Sequence, residues 1–286
     1  MPSPKKPKTP KADTIWTLPD ALWDIIESLL AEAYPARATG RPRVDLRRVI
    51  GGIIYRMRTG VQWNRLPKQF GSDRTVHRWF QRFNSDGFFE RLWAVLAGAC
   101  DDLSGVDWQW QSADGRMGKA RFGGKKTGRN PTDRGKPGTK TSLIVEGGGL
   151  PLGVVLDGAN RHDSQLLKAT IEAIVVRRPE VTVEAPQHLC LDKGYDNPTG
   201  HEAAVSGGHT PHIRRIGEEK RPCNVAAGHK PRRWAVERTF AWLCKCRAIL
   251  VRHDHDDSNY LGLIQLACAT YWYRKLSKLV EEPVLR

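Results

Sequence analysis

The sequence predicts an α/β protein, in which a mixed sheet with flanking helices follows an all-α unit. Up to about residue 103, apolar residues recur at the three- and four-residue spacing of helices. From residue 104, short apolar runs bounded by glycine and proline indicate strands, and a helical segment separates two of them. We therefore divide the chain into a disordered basic tail (1–14), a helical unit (15–103) and a sheet domain with C-terminal helices (104–286).

The chain carries a large excess of positive charge. Lys and Arg outnumber Asp and Glu by 46 to 31 over 286 residues, which gives a formal net charge of +15. Such a surplus attracts polyanions, chiefly nucleic acid, although a generic positive surface is the plainer alternative. No apolar run approaches the roughly 18 to 20 residues that span a bilayer, and no apolar stretch follows the basic start. We expect a soluble intracellular protein with no membrane partner.

Two helices are expected at the start of the helical unit. The first covers residues 17–34, with Thr17 and Asp20 as a capping box. The second runs from Asp45 to about Thr59 and stops at Gly60, because glycine readily ends a helix.

The next segment has the pattern of a helix-turn-helix. A tight turn at Gly71 and a capping Ser72 precede a helix with an apolar face, and a further helix over about Phe88 to Asp102 closes the unit. The outer face carries Arg74, Thr75, His77, Arg78, Gln81 and Arg82. These side chains suit phosphates and base edges, and we predict that they contact DNA. A solvated helix in an all-α domain is the alternative, but twelve Arg and Lys against four Asp and Glu between Arg41 and Arg91 favour DNA.

The second half alternates strands and helices. Strands are expected over 108–122, as a glycine-linked pair over 141–160, over 188–192 and over 212–216. Helices are expected over 163–178 with Ser164 as cap, over 231–250, and from Asn259 to Val280.

Three acids stand at notable places in this half. Asp114 lies in the first strand, Asp192 ends the strand 188–192, and Glu237 lies on the helix 231–250 among basic residues. Carboxylates that converge in a basic surround suit hard divalent cations such as Mg²⁺, which act in pairs roughly 3.5 to 4 Å apart in DNA-processing enzymes. Turn or cap roles for the aspartates, and an ion pair of Glu237 with Arg233 or Lys230, are the plainer alternatives.

A glycine-rich basic segment, residues 117–140, lies between the first two strands. From Asp114 to Lys140 there are nine Arg and Lys and two Asp. We predict a flexible phosphate-gripping loop with Lys125, Lys126 and Arg129 as DNA contacts. Zinc ligation by Cys223, His229, Cys244 and Cys246 is disfavoured, because CxC is a poor ligand spacing.

Five motifs occur in a recognisable order: SADGRMGKARFGGKKTG, DRGKPGTK, GLPLGVVLDGANRHDSQLL, LCLDKGYD and RRWAVERTFAWL. Together they resemble the bacterial insertion-sequence DDE transposases, family five of the insertion sequences with the four-like catalytic domain. The similarity extends from about Trp16 to Tyr273, and VIGGIIYRMRTGVQWNRLPKQFGSDRTVHRWFQRF resembles the helical domain of that group.

The resemblance implies a ribonuclease H-like catalytic domain with Asp114, Asp192 and Glu237 as the catalytic, metal-binding acids. It also implies two Mg²⁺ ions, with Mn²⁺ able to substitute. The partner would be double-stranded DNA: the protein would cleave terminal inverted repeats and join the 3′-OH ends to target DNA. A homodimer or higher assembly on DNA and a cytoplasmic, nucleoid-associated location follow from the same resemblance.

Relatives often carry a Tyr-Arg-Glu-Lys signature around the last acid. Arg233 and Glu237 match its middle, whereas Lys230 occupies the Tyr position and Cys244, followed by Lys245, the Lys position. This departure leaves the handling of the second DNA strand open.

Further residues around the three acids are given roles. We expect Lys193, Arg233 and Arg238 to contact phosphates. Asp163 is interpreted first as a helix cap and second as an acid behind the site. Two functional alternatives remain: a DNA-binding regulator that has lost cleavage, and a nuclease that cuts without joining.

Overall fold

The structure is a computed structural model that describes residues 18–35, 39, 42–213 and 233–281. The predicted basic tail, Thr17 of the first capping box, residues 214–216 of the last predicted strand, and Cys223, His229 and Lys230 lie outside the described residues.

Four helices form the N-terminal part: α1 (Asp20–Ala33), α2 (Leu46–Thr59), α3 (Asp73–Ser85) and α4 (Phe88–Asp102). The strands are β1 (Trp110–Lys119), β2 (Gly128–Arg129), β3 (Pro137–Glu146), β4 (Pro151–Gly158), β5 (His188–Leu191) and β6 (Thr210–Ile213). The remaining helices are α5 (Asp163–Glu172), α6 (Pro198–Ser206), α7 (Trp234–Leu243), α8 (Arg247–Leu250) and α9 (Asp257–Glu281). None of these helices combines the length and apolar character needed to cross a membrane.

Local signals set the ends of α2 as predicted. The Asp45 carboxylate accepts the backbone N–H of Arg48 at 3.1 Å and caps the first turn. Gly60 adopts a φ of 69° and donates its N–H to Arg56, which ends the helix in the left-handed conformation that glycine tolerates.

The approach to α3 differs in detail from the prediction. The short helix before Gly71 is a single 3₁₀ turn, Lys68–Phe70, and the Ser72 side chain makes no capping hydrogen bond. The buried face is as predicted, with Val76, Phe80 and Phe83 fully buried. These three side chains hold α3 against α2 and leave its polar face outward.

The sheet has the ribonuclease H-like arrangement, which confirms the predicted fold class. Strand β1 is central: β3 pairs antiparallel on one side and β5 parallel on the other. Beyond them, β4 pairs antiparallel with β3 and β6 pairs parallel with β5, while the short β2 joins the end of β3. Strand β5 ends at Leu191, beside the middle of β1, which continues to Lys119 in its pairing with β3.

Two predicted helices end earlier than their apolar pattern suggests. The helix expected over 163–178 ends at Glu172, because the Val175 N–H bonds to the Leu152 carbonyl of β4 at 3.0 Å. The helix expected over 231–250 divides into α7 and α8 around Cys246. The predicted loop over 117–140 is also shorter, since β1 extends to Lys119 and β3 begins at Pro137.

One apolar core continues from the helical part into the sheet part. Helix α4 packs along α9, and the indole N–H groups of Trp93 and Trp272 both donate to the Pro151 carbonyl, at 3.2 and 2.6 Å. The boundary at residue 104 therefore stays a prediction about sequence organisation, because the packing crosses it.

Candidate active site

Asp192 directly follows the last residue of β5, whereas Asp114 lies in the middle of β1, two residues beyond the last β1–β5 pair. The β1–β5 register ends at the pair Ser112–Cys190, two residues before each acid, and the charge of Asp192 acts on Asp114. Side chains two residues apart on a strand share a face, so the two carboxylates lie on the same side of the sheet. The sheet thus brings together two of the three predicted acids.

The backbone around each aspartate fixes one carboxylate oxygen. Oδ1 of Asp114 accepts the N–H of Gly115, and Oδ1 of Asp192 accepts the N–H of Gly194, each at 2.7 Å. Asp192 thereby caps the 3₁₀ turn Lys193–Tyr195, so the plainer cap role is present together with its place at the strand end.

A third aspartate, Asp163, lies against the first. It begins α5, its Oδ1 is 2.9 Å from Nζ of the buried Lys140, and a Cβ atom on Gly115 would overlap its carboxylate. The capping roles predicted for Asp163 and Ser164 are wrong, because His162 caps α5 by accepting the Ser164 N–H. We call Asp114, Asp163 and Asp192 the aspartate cluster.

The aspartate cluster has a strong negative field. Burial raises the pKa of Asp114 to about 6, and the negative charges of Asp192 and Asp163 contribute to the rise, while Arg233 opposes it. The Tyr195 hydroxyl is buried beside all three aspartates, and within the described chain it has no hydrogen-bond partner. Burial, followed by these charges, raises the pKa of Tyr195.

Glu237, the third predicted acid, is paired with a basic residue. It is in the first turn of α7, which packs on β1 and β3, and its Oε1 is 3.3 Å from Nε of Arg233. The ion pair considered as the plainer alternative is therefore present. Arg233 also acts on Asp114, so this guanidinium links Glu237 to the cluster.

The donor set fits a hard divalent cation. Carboxylate oxygens are the ligands that Mg²⁺ prefers, and a cation beside the aspartates would favour the ionised form of Asp114. In the described parts of the chain, no three His, Cys, Asp or Glu side chains stand close enough together to hold an ion as they are.

Comparison with known proteins identifies the family. A family model described as a transposase DDE domain matches residues 104–272. The chain belongs to the DDE transposases. A second model, of an IS4/5-family transposase, matches residues 18–93.

The chain is also similar to curated relatives and to solved structures. The chain is 32% identical over 160 residues to a protein assigned as the transposase of IS402 in Burkholderia cepacia, which covers 55% of this chain and 74% of the relative. A 16.2 kDa IS402 protein of the same organism is 29% identical over 116 residues, 39% of this chain and 79% of that protein. The Mos1 mariner paired end complex with Mn gives a TM-score of 0.27 at 12% identity, covering 91% of this chain and 86% of that one. That score is too low to carry an argument.

On the polar face of α3 in this transposase, some side chains are exposed to solvent and others contact aromatic rings of the protein. Arg74, Arg78 and Gln81 are exposed and Thr75 is half-buried. His77, in contrast, stacks on Trp63 with ring centroids 4.7 Å apart, and burial lowers its pKa.

Arg82 is also engaged within the transposase. Its guanidinium lies 4.7 Å from the ring centroid of Tyr34 and 5.2 Å from that of Trp79, and its Nε is 3.7 Å from Asp86. These contacts hold the guanidinium against α3, so the contact of Arg82 with DNA stays a prediction.

A buried arginine holds part of the basic loop between β1 and β3. Lys125, Lys126 and Arg129 are exposed, as predicted. The carbonyls of Lys125 and Lys126 accept hydrogen bonds from the buried Arg252, at 2.8 and 3.4 Å. The expectation of a flexible loop is therefore wrong at these two residues.

The predicted contacts around the acids occupy two surfaces. Lys193 is exposed directly after Asp192. Arg238 is stacked between Trp234 and Trp242, with its guanidinium carbon 4.4 and 4.6 Å from the ring centroids, and it donates to the Gly148 carbonyl. Arg238 thus faces the β3–β4 turn.

Sequence reasoning missed the roles of Tyr195 and Lys140. Tyr195 follows Asp192 by three residues, so a single helical turn returns its side chain toward the acid, and this spacing was the available signal. Lys140 offered no local signal, since its contact with Asp163 joins β3 to α5 across the sheet.

Proposed function

We propose that this DDE transposase binds the terminal inverted repeats of an insertion sequence, cleaves the DNA ends by metal-assisted hydrolysis and joins the 3′-OH ends to target DNA. The carrying observation is that Asp114, in the middle of β1, lies close to Asp192, which follows the parallel strand β5; burial and the neighbouring negative charges raise the pKa of Asp114 to about 6.

Asp114, Asp192 and Glu237 are the catalytic residues of this proposal, and they hold two Mg²⁺ ions, for which Mn²⁺ substitutes. When bound, the ions supply Lewis-acid charge at the phosphate and lower the pKa of an attacking water.

The chain's own groups prepare the site. The Gly115 and Gly194 N–H groups fix the orientation of Asp114 and Asp192. Lys140 holds Asp163 behind them, so Asp163 acts as a positioning residue. Arg233 exchanges its pair with Glu237 for a DNA phosphate, and this exchange frees the glutamate to turn inward.

DNA contacts extend over two further surfaces. On α3, Arg74, Thr75, Arg78 and Gln81 reach phosphates and base edges, while His77 and Arg82 brace that face. Lys125, Lys126, Arg129 and Lys193 grip phosphates nearer the acids. Because an insertion sequence has two ends, the working form is a homodimer or larger assembly on nucleoid DNA.

A strand-transfer assay tests the proposal. The protein is incubated with Mg²⁺, a labelled terminal fragment and a target plasmid, and joined product is measured. We expect cleavage and joining by the wild type, and binding without cleavage by Asp192→Asn. Cleavage that never yields joined product would indicate the nuclease alternative, and DNA binding without cleavage by the wild type would indicate the regulator.

A further inference from the structure

We propose that a basic cavity of about 610 Å³, separate from the aspartate cluster, binds a backbone phosphate of DNA. It lies where α2, the β3–β4 turn, α7 and α9 meet, and we call it the Arg58 cavity. The inference rests on the proposed function and adds to it a second, anchoring contact with the same nucleic acid.

Positive charge dominates the lining of the cavity. Its basic residues are Arg58, Arg238, Lys245, Arg274, Lys275 and Lys278. Glu146 is the one acid among the described residues of the lining. Its buried carboxylate accepts the N–H groups of Asp107, Gly148 and Leu150, at 3.2, 2.8 and 2.8 Å. Glu146 therefore holds the β3–β4 turn, and six basic residues stand against this one acid in the described lining.

Arg58 is the strongest indication that an anion is bound. Its residue is 5% exposed, and its Nε and Nη2 atoms make no hydrogen bond to any described part of the chain. The guanidinium also hydrogen-bonds the Cys246 thiol, so only part of its donor capacity is used, and the two remaining buried atoms have lost water without gaining partners. A phosphate offers several oxygens in the geometry that an arginine fork binds in pairs.

Arg238 is already held in place on the opposite wall. Stacking on Trp234 and Trp242 and its bond to the Gly148 carbonyl fix the guanidinium, while its Nε remains without a partner in the described structure. Little side-chain entropy is lost when such a group binds an anion.

The extent of the charge favours DNA over a free anion. From Arg58 at the base, cations continue outward along α9 through Arg274, Lys275 and the exposed Lys278, at the three- and four-residue spacing of one helix face. A small anion would need only the cations at the base of the Arg58 cavity. A row of charges that extends to the surface matches the repeated phosphates of a nucleic-acid backbone. Arg238 also adjoins Glu237 in sequence, so a strand at the acids passes close to the cavity.

The test compares two double variants of the full-length protein. Lys275→Gln with Lys278→Gln removes two charges from the Arg58 cavity. Lys168→Gln with Arg177→Gln removes two exposed charges outside its lining and serves as the matched control. Affinity for a labelled terminal duplex is measured by fluorescence anisotropy over a range of salt concentrations, since the slope of log K against log[salt] counts phosphate contacts.

We expect the cavity variant to lower the magnitude of that slope by about 1 to 2, and the control to leave it unchanged. Equal slopes for the two variants would overturn the inference, while cleavage by the wild type would still support the proposed function. No duplex binding by the wild type would overturn both.

A second arm separates DNA from a free anion. Inorganic phosphate is titrated against wild type and cavity variant, and thermal unfolding is followed. We expect millimolar phosphate to give little stabilisation compared with the duplex. Phosphate stabilisation that the cavity variant abolishes, combined with an unchanged DNA slope, would assign the cavity to a small anion and contradict the DNA contact.

Discussion

At the scale of single residues, Asp114 combines burial with two neighbouring negative charges. Its folded-state pKa of about 6 lies above the usual value of 3.8. Between these values the folded state binds more protons than the unfolded state, so the free energy of unfolding falls as pH rises through the window. At neutral pH without metal, the ionised carboxylate therefore destabilises the fold by an amount on the order of 1 to 3 kcal/mol.

We predict that Asp114→Asn raises the free energy of unfolding at pH 7.5 in a chelator by about 1 to 2 kcal/mol. Urea unfolding measures this, with the exposed Asp102→Asn as a control that should have little effect. If Asp114→Asn destabilises the metal-free protein instead, the carboxylate is well satisfied and the electrostatic account of the site is wrong.

Gly115 allows the close approach of Asp163 to β1. We predict that Gly115→Ala displaces the Asp163 carboxylate and slows Mg²⁺-dependent cleavage by about 100-fold, because a displacement of about 1 Å at an active site has that effect. Gly118→Ala is the matched control on the same strand, since its new Cβ would be 3.7 Å from the nearest atom, the Thr139 carbonyl oxygen. Equal cleavage rates in the two variants would remove Asp163 from the site.

The sequence predicted the site residues unevenly, for physical reasons. Asp114 and Asp192 were found because an acid in or after an apolar strand is a local pattern. The position of Asp163 was not, since it depends on the missing side chain of Gly115 and on Lys140 from another strand. Contacts of this kind exist only after the sheet and α5 have packed.

At the scale of elements, a buried ion pair joins α2 to the segment before α9. Nη2 of Arg56 lies 3.4 Å from Oδ2 of Asp254, and each side chain is 7% exposed. Burial is the main cause that lowers the pKa of Arg56, and Asp254 opposes it. Removal of the acid would leave a buried, unpaired charge, which is more costly than losing an exposed pair.

We predict that Asp254→Asn lowers the free energy of unfolding by about 3 to 5 kcal/mol. Arg161→Gln, which breaks an exposed pair with Asp157 at 3.6 Å, should cost at most about 1 kcal/mol. Chemical denaturation of both variants measures the difference, and similar losses would mean that the Arg56 pair does not join these elements.

The sequence predicted elements better than their ends. Helix periodicity located α2 and α4 to within a residue, because capping residues and glycine mark their limits. The apolar pattern over 163–178 continued past the end of α5, since Val175 packs against the core while its backbone N–H bonds to β4 rather than within a helix. In the sequence, an apolar residue that packs against the core after a helix has ended cannot be distinguished from one on the buried face of the helix.

At the scale of the whole molecule, the helical part and the sheet share one core. Trp93 of α4 and Trp272 of α9 meet at one carbonyl, that of Pro151. The composition indicated a substantial core. It did not indicate that one core runs through both parts, which results from the packing of α9 along α4. Two cavity walls, α2 and α9, are fixed by the same packing.

The central claim is that Asp114, Asp192 and Glu237 close around divalent metal ions on DNA. The most direct measurement is the anomalous diffraction of Mn²⁺ in crystals of the protein bound to a terminal DNA duplex. The account predicts two peaks roughly 3.5 to 4 Å apart, with oxygens of all three carboxylates as ligands and Glu237 turned away from Arg233. Manganese bound without Glu237, or with Asp114 and Asp192 holding no ion, would contradict it.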